Sequence, residues 1–209
     1  MDQVIIRDVE KKDFPAIKAI ISETWDIGTE DEKTQGAILG LYLNQVLYWS
    51  SFGKAAVLGG KVVGVIFGFL DEDTPKYRML QEDGMEHVIK LLDASENDRK
   101  DAHEYLSKTL GAYDELVADI IDLYDGSLDF FVVSEEARGL GVGKRLWGEI
   151  AAYFKENGAG SIYVYTDTLC NFGFYDHNGF QKKREYTLTY NFSDGQEQEN
   201  ILLYDYKFR

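Results

Sequence analysis

What the chain has little of limits it first. Among 209 residues there is one cysteine, Cys170, so an intramolecular disulfide and a cysteine metal cluster are both excluded. That usage fits a reducing compartment, and a cytoplasmic protein is the expectation. There are three histidines. His87 and His103 stand without metal-ligand spacing, and His177 reads as a surface residue, so no metal site is expected. Only two prolines occur, Pro15 and Pro75, and no internal repeat or low-complexity linker is visible. Long apolar runs are also missing. Val62 to Leu70 is broken by glycine and too short to span a bilayer, so no membrane role is expected. The opening Met1-Asp2-Gln3-Val4-Ile5-Ile6-Arg7 lacks the charged, apolar, small-residue order of a secretory leader. Cations are scarce, 22 Lys and Arg against 37 Asp and Glu, for a net charge of −15. An acidic surface repels phosphates, and no basic stripe with interleaved aromatics appears, which argues against nucleic acid as a partner. The same charge also serves solubility.

What is present is a chain able to bury a sizeable core. With 44% apolar and 14% aromatic residues, residues 1–209 read as one globular domain. Val4 to Asp8 reads as a strand. Asp13 is placed as a helix N-cap with Pro15 in the first turn, and Ile17, Ile20 and Ile21 recur at helical spacing towards Trp25. A second helix is predicted over about Thr34 to Ser50, with Ile38, Leu41, Tyr42, Gln45 and Tyr48 or Trp49 along one side. Ala55 to Phe69, turning at Gly59-Gly60, is a hairpin pattern. Two further strands, Gln181 to Asn191 and Ile201 to Lys207, flank the polar turn Ser193-Asp194-Gly195.

The most informative stretch runs from Leu128 to Lys155. The apolar run Leu128 to Val133 leads to Arg138-Gly139-Leu140-Gly141-Val142-Gly143-Lys144. A helical pattern follows, with Leu146, Trp147, Ile150, Ala151 and Phe154 on one face. Strand, glycine turn and helix together present backbone N–H groups to a phosphate. The spacing is neither G-x-G-x-x-G nor a P-loop, since Gly143-Lys144 is followed by Arg145. About twenty residues on, Ile162 to Tyr165 reads as a short buried strand. Phe174-Tyr175, three residues and then Gly179-Phe180 close a helix on a left-handed glycine stop.

These two segments resemble the signatures of the GNAT superfamily of acyl-CoA-dependent N-acyltransferases. Arg138, Gly141 and Gly143 match the Gln/Arg-x-x-Gly-x-Gly/Ala motif, and Tyr175 with Gly179-Phe180 matches the second one. The likeness covers residues 4–70 and 128–208. It implies an α/β (α+β) fold with a mixed, mostly antiparallel twisted sheet, helices on both faces, and acetyl-CoA as co-substrate. By resemblance, the amides of Gly139, Leu140, Gly141, Val142, Gly143 and Lys144 hold the pyrophosphate, with Arg138 and Lys144 adding charge. The strand ending at Val133 splays from its neighbour near Tyr165 to admit pantetheine, and the Val133 N–H faces the thioester carbonyl. Asn171 is a candidate for the pantetheine amides, although many members carry that asparagine seven residues before the tyrosine, where this chain has Thr168. Tyr175 is the candidate general acid. Asp129 is the candidate base, with Asp167 as its rival. Cys170 is expected to be a small buried filler.

The departure from the family lies at residues 71–127, between the third and fourth strands. Sixteen Asp or Glu stand against six Lys or Arg there, and the segment reads as helical. One helix is expected around Met85 to Leu92. A second pattern places Leu106, Leu110, Tyr113, Val117, Ile120, Ile121 and Tyr124 on one face. Two readings stay open: a cap on the acceptor site that favours a cationic amine, or a helical hairpin on the sheet edge that packs or forms a homodimer. The function implied is acetyl transfer to a primary amine of a small molecule or peptide. An acyl-CoA-binding regulatory module and an interaction protein are the alternatives.

Overall fold

A computed structural model describes residues 3–25 and 31–208. Met1 and Asp2, at the head of the segment read for a leader, lie outside the described residues. The strands are β1 (Ile5–Asp8), β2 (Phe52–Leu58), β3 (Lys61–Leu70), β4 (Gly126–Val133), β5 (Ser161–Asp167), β6 (Gln181–Phe192) and β7 (Gly195–Lys207). They form a seven-stranded sheet in the order β1-β2-β3-β4-β5-β7-β6. All neighbours are antiparallel except β4 and β5. This is the mixed, mostly antiparallel sheet expected. Among the described residues no helix is long and apolar enough to cross a membrane.

Helices cover both faces. On one, α1 (Phe14–Thr24) and α2 (Glu32–Trp49) bury Phe14, Ile17, Leu43 and Leu47 against Val65, Phe67, Phe130 and Val132. On the other, α5 (Val142–Glu156) sets Leu146, Trp147, Ile150 and Phe154 onto Ile66, Leu128, Ile162 and Leu202. Asp13 occupies the α1 cap position, but its side chain does not cap the helix. Its oxygens are held instead by both Arg7 guanidinium nitrogens, at 2.6 and 2.7 Å, and by the Glu10 N–H. A bidentate ion pair outcompetes a cap bond at that site.

The segment between β3 and β4 carries α3 (Gly84–Leu92) and α4 (Glu96–Val117). The α4 helix packs Ala112 and Leu116 on Leu188, Tyr190 and Ile201 of the β6–β7 hairpin. It stops at Val117, not near Tyr124, and a separate 3-10 turn holds Ile121–Leu123.

The sheet is irregular where the site lies. Phe67 pairs with Phe130 but Phe69 with Ser127, so Leu128 and Asp129 together face Gly68. This is a β-bulge, a device that re-aims a side chain. Gly68 makes room for it. A Cβ there would lie 2.6 Å from Ile150 Cδ1, 2.9 Å from the Ser127 carbonyl oxygen and 3.0 Å from Phe154 Cζ. Gly68→Ala is expected to cost about 1–3 kcal/mol by overpacking, read as a drop in thermal midpoint. An unchanged midpoint would show that the bulge has slack.

Candidate functional site

The one parallel pair in the sheet is its weakest seam. The β4–β5 ladder covers Ser127 with Tyr163 and Leu128 with Val164, and then ends. Beyond it the strands diverge, as expected near Tyr165. The Ser134 N–H donates to Val63 O at 2.9 Å. Backbone N–H directions alternate along a strand, so Phe131 and Val133 point theirs towards the open β5 side. On one side of this wedge lies the glycine turn. On the other lies a cavity of about 480 Å³.

The glycine turn is built for backbone exposure. Gly139 and Gly141 have φ of 79° and 75°, and no atom comes within 4 Å of where their Cβ would be. Gly141 is the N-cap of α5 and gives no side-chain bond to the first turn. Arg145 makes the first backbone bond into the helix, to Gly141 O, which leaves the amides of Val142, Gly143 and Lys144 as free donors. A Cβ at Gly143 would lie 3.4 Å from Phe131 Cζ and 3.6 Å from Phe174 Cε2. Leu140 and Lys144 are exposed. Arg138 is exposed too and pairs with Glu135 at 2.9 Å. The turn is therefore a row of undonated N–H groups beside two surface cations, and it fits a diphosphate.

The cavity is bounded by α2, α4, β4, β5 and β7. Two apolar stripes read as packing faces line it instead. They are Ile38, Tyr42, Gln45 and Trp49 of α2, and Leu110, Tyr113 and Val117 of α4 with Ile121 and Tyr124 beyond. The segment 71–127 thus contributes a wall of the cavity and also packs on the β6–β7 hairpin. Its carboxylates Asp71 and Asp114 sit exposed on that wall.

Asp129 faces the cavity from the bulge. Ser127 Oγ donates to its Oδ1. Ser50 Oγ lies 3.3 Å from its Oδ2 but only 2.7 Å from Val46 O. One hydroxyl has one hydrogen, and the shorter bond takes it, so Oδ2 is left without a donor. Burial pushes the Asp129 carboxyl up to about 6, against the pull of the Ser127 hydrogen bond. Asp167 is the opposite case. Trp25 Nε1 donates to it at 2.7 Å, and the amides of Leu169 and Cys170 at 2.8 and 2.9 Å. Its oxygens are committed to holding the end of β5. Of the two candidate bases, the structure leaves only Asp129 with an open acceptor.

Tyr175 is buried, packs on Phe180 and Tyr204, and reaches the cavity. Burial raises its pKa, against a smaller pull from the Thr166 side chain, which keeps the phenol protonated. The helix that carries it, α6 (Gly173–His177), is only five residues long, and Gly179 ends it with φ 88°. Asn171 is exposed just before α6 and gives its carbonyl to the Phe174 N–H. His177 is exposed, as expected. Cys170 is half-buried on the cavity wall, not a core filler. Its thiol lies 3.0 Å from Thr166 Oγ1 and is pushed up to about 12 by burial, so it is a poor nucleophile.

Two residues here escaped the sequence reading. Phe131 lines the cavity, whereas Val133, two residues on, does not. Glu199 lines it from β7; it accepts from Tyr190 Oη at 2.9 Å, and burial pushes it up to about 7. Among the described residues, no group of His, Cys, Asp and Glu is arranged to hold a metal ion.

Comparison with known proteins agrees with this geometry. A sequence model of the acetyltransferase (GNAT) family matches residues 14–180. No curated protein matches by sequence. Among solved structures, a Drosophila melanogaster polyamine N-acetyltransferase superposes with TM-score 0.56 at 12% identity, over 99% of this chain and 100% of that one. The PaiA N-acetyltransferase of Thermoplasma acidophilum in complex with coenzyme A gives 0.53 at 13%, over 99% of both chains. A ribosomal-protein-alanine N-acetyltransferase from Brucella melitensis gives 0.52 at 14%, over 98% of this chain and 99% of that one. At such identities the superpositions speak for the fold alone.

Proposed function

The chain belongs to the GNAT acetyltransferase family, and from that premise we propose that it transfers an acetyl group from acetyl-CoA directly to a primary amine bound in the cavity. The observation that carries this reading is the wedge between β4 and β5, with free amides of the glycine turn on one side and, on the other, the Asp129 carboxylate with one oxygen reached only by the long Ser50 contact. Acetyl-CoA, when bound, supplies a thioester carbonyl at the wedge. The amides of Gly139, Gly141, Val142, Gly143 and Lys144 take its pyrophosphate, with Arg138 and Lys144 contributing charge; the Leu140 N–H is committed to Ala137 O at 3.3 Å and is not among them. Asn171 and the Val133 N–H are assigned to pantetheine. The Phe131 N–H shares the edge direction of Val133 but stands at the cavity, so it is the better donor to the reacting carbonyl oxygen.

On the acceptor side, Asp129 holds the amine through its open Oδ2 and takes the proton released as the N–C bond forms. A carboxylate near pH 6 is ionised at neutral pH and still basic enough to accept that proton. Tyr175, held protonated, donates to the departing thiolate. Tyr175→Phe is expected to lower kcat about 10- to 1000-fold with little change in acetyl-CoA affinity. An unchanged kcat would remove Tyr175 as the acid. The overall reading is tested by thiol release from acetyl-CoA across a panel of amines, with calorimetry of acetyl-CoA binding in the same preparation. Binding without release on any amine would favour an acyl-CoA sensor over an enzyme.

A further inference from the structure

Resting on the acetyl-transfer reading, we propose that the acceptor is a linear diamine or polyamine, whose reacting amine sits at Asp129 while a distal ammonium is held at Glu199 in the same cavity.

The lining chemistry points to a cation. Five carboxylates, Asp71, Asp114, Asp129, Asp167 and Glu199, reach the cavity, and no Lys, Arg or His does so among the described residues. Buried carboxylates without a counter-charge cost free energy, and a cationic ligand removes that cost. A free amino acid or an acidic peptide would bring a carboxylate of its own, and no lining guanidinium or ammonium is there to receive it.

Two of the five carboxylates are poised for separate cations. Asp167 has its oxygens filled by three donors. Asp129 keeps Oδ2 open. Glu199 receives only the Tyr190 hydroxyl, on one oxygen. Asp71 and Asp114 are exposed, where they attract cations towards the cavity without desolvating them. Tyrosines share the lining with these groups: Tyr42, Tyr105, Tyr113 and Tyr165 all reach the cavity. Aromatic walls suit a methylene chain and the ammonium groups at its ends.

The register sets the length. The last paired residues of β4 and β5 are Leu128 and Val164, and Tyr165 pairs with Leu203 on β7. Glu199 lies four residues from Leu203 along β7, roughly 13 Å at the usual strand rise, and β7 stands two strands across from β4, roughly 10 Å to the side. Diaminoethane is too short to bridge that offset, whereas a chain of octane length can approach both groups.

The test is a rate series in the intact protein. Thiol release from acetyl-CoA would be measured for diaminoethane through diaminodecane, beside linear monoamines of equal length and glycine as an anionic control. Calorimetric binding of diaminooctane would be measured in parallel. The best diamine is expected to exceed its equal-length monoamine about 10- to 100-fold in kcat/KM, the size of one charge-assisted contact. Diaminoethane should show no such gain and glycine should be poor. Glu199→Gln, checked for an unchanged melting transition, should bring the diamine-to-monoamine ratio towards one. A wild-type ratio near one with active monoamines would overturn this inference and leave the transferase reading standing. A high ratio that survives Glu199→Gln would overturn the assignment of Glu199. If no amine releases thiol, the transferase reading fails on its own. Calorimetry then decides this inference: Glu199-dependent diaminooctane binding supports the cation site, and absence of binding overturns it.

Discussion

Asp129→Asn is expected to lower kcat about 100- to 10,000-fold while leaving acetyl-CoA binding near its parent value, because the change touches only the acceptor side of the wedge. The variant carries a second, opposite signature in stability. Folding raises the Asp129 carboxyl from its ordinary 3.8 to about 6 through burial. Below about pH 4 the group is protonated whether the chain is folded or not, and it costs nothing. As pH rises through the interval up to about 6, the unfolded chain gives up the proton first, and native stability falls. Above that the deficit is constant, of the order of 1–3 kcal/mol. Asparagine carries no such deficit. The variant should therefore melt higher than the parent at pH 8 and lose that advantage near pH 4. The parent should also show an acid limb in kcat/KM near pH 6. A variant that kept its kcat, or melted lower at pH 8, would remove Asp129 from the role of base.

Gly141→Val is expected to weaken acetyl-CoA binding at least about 100-fold, the loss of two or more charge-assisted bonds to the diphosphate. The cause is backbone conformation, since no atom would clash with the new Cβ. At φ 75° a β-branched residue is strained by roughly 1–2 kcal/mol, and the turn relieves that strain by rotating its amides away from a common point. Gly148→Ala is the matched control. Gly148 lies on the same helix, also in open space, but with no positive φ, and the variant should bind acetyl-CoA as the parent does. Equal calorimetric affinity for parent and Gly141→Val would move the diphosphate away from this turn.

The parts of the site that the sequence disclosed are those written in single residues. A glycine that must take positive φ is visible as a glycine, and so Gly139, Gly141 and Gly179 marked the turn and the helix stop in advance. Periodicity was less informative about direction. The stripes Ile38-Tyr42-Gln45-Trp49 and Leu110-Tyr113-Val117 show that these residues share a face, but nothing in the spacing says that the face looks into a cavity. The bulge at Leu128-Asp129 is one extra residue in an apolar run, and it leaves no trace in composition. Phe131 was passed over as one more apolar residue of that run. Glu199 was hidden in the polar run before Ile201, which reads as turn; the pairing of β6 with β7 extends the strand back to Gly195 and turns Glu199 inward. Asp167 looked equivalent to Asp129 until the three donors around it were placed.

The most direct test of the account is a single mixing experiment: parent protein, acetyl-CoA and a saturating linear diamine, with free thiol followed against time and the amine product weighed by mass spectrometry. The account predicts thiol release in step with one acetyl group gained by the amine, and a rate that collapses in Asp129→Asn while acetyl-CoA still binds. Tight acetyl-CoA binding with an intact thioester, across diamines and monoamines alike, would contradict it.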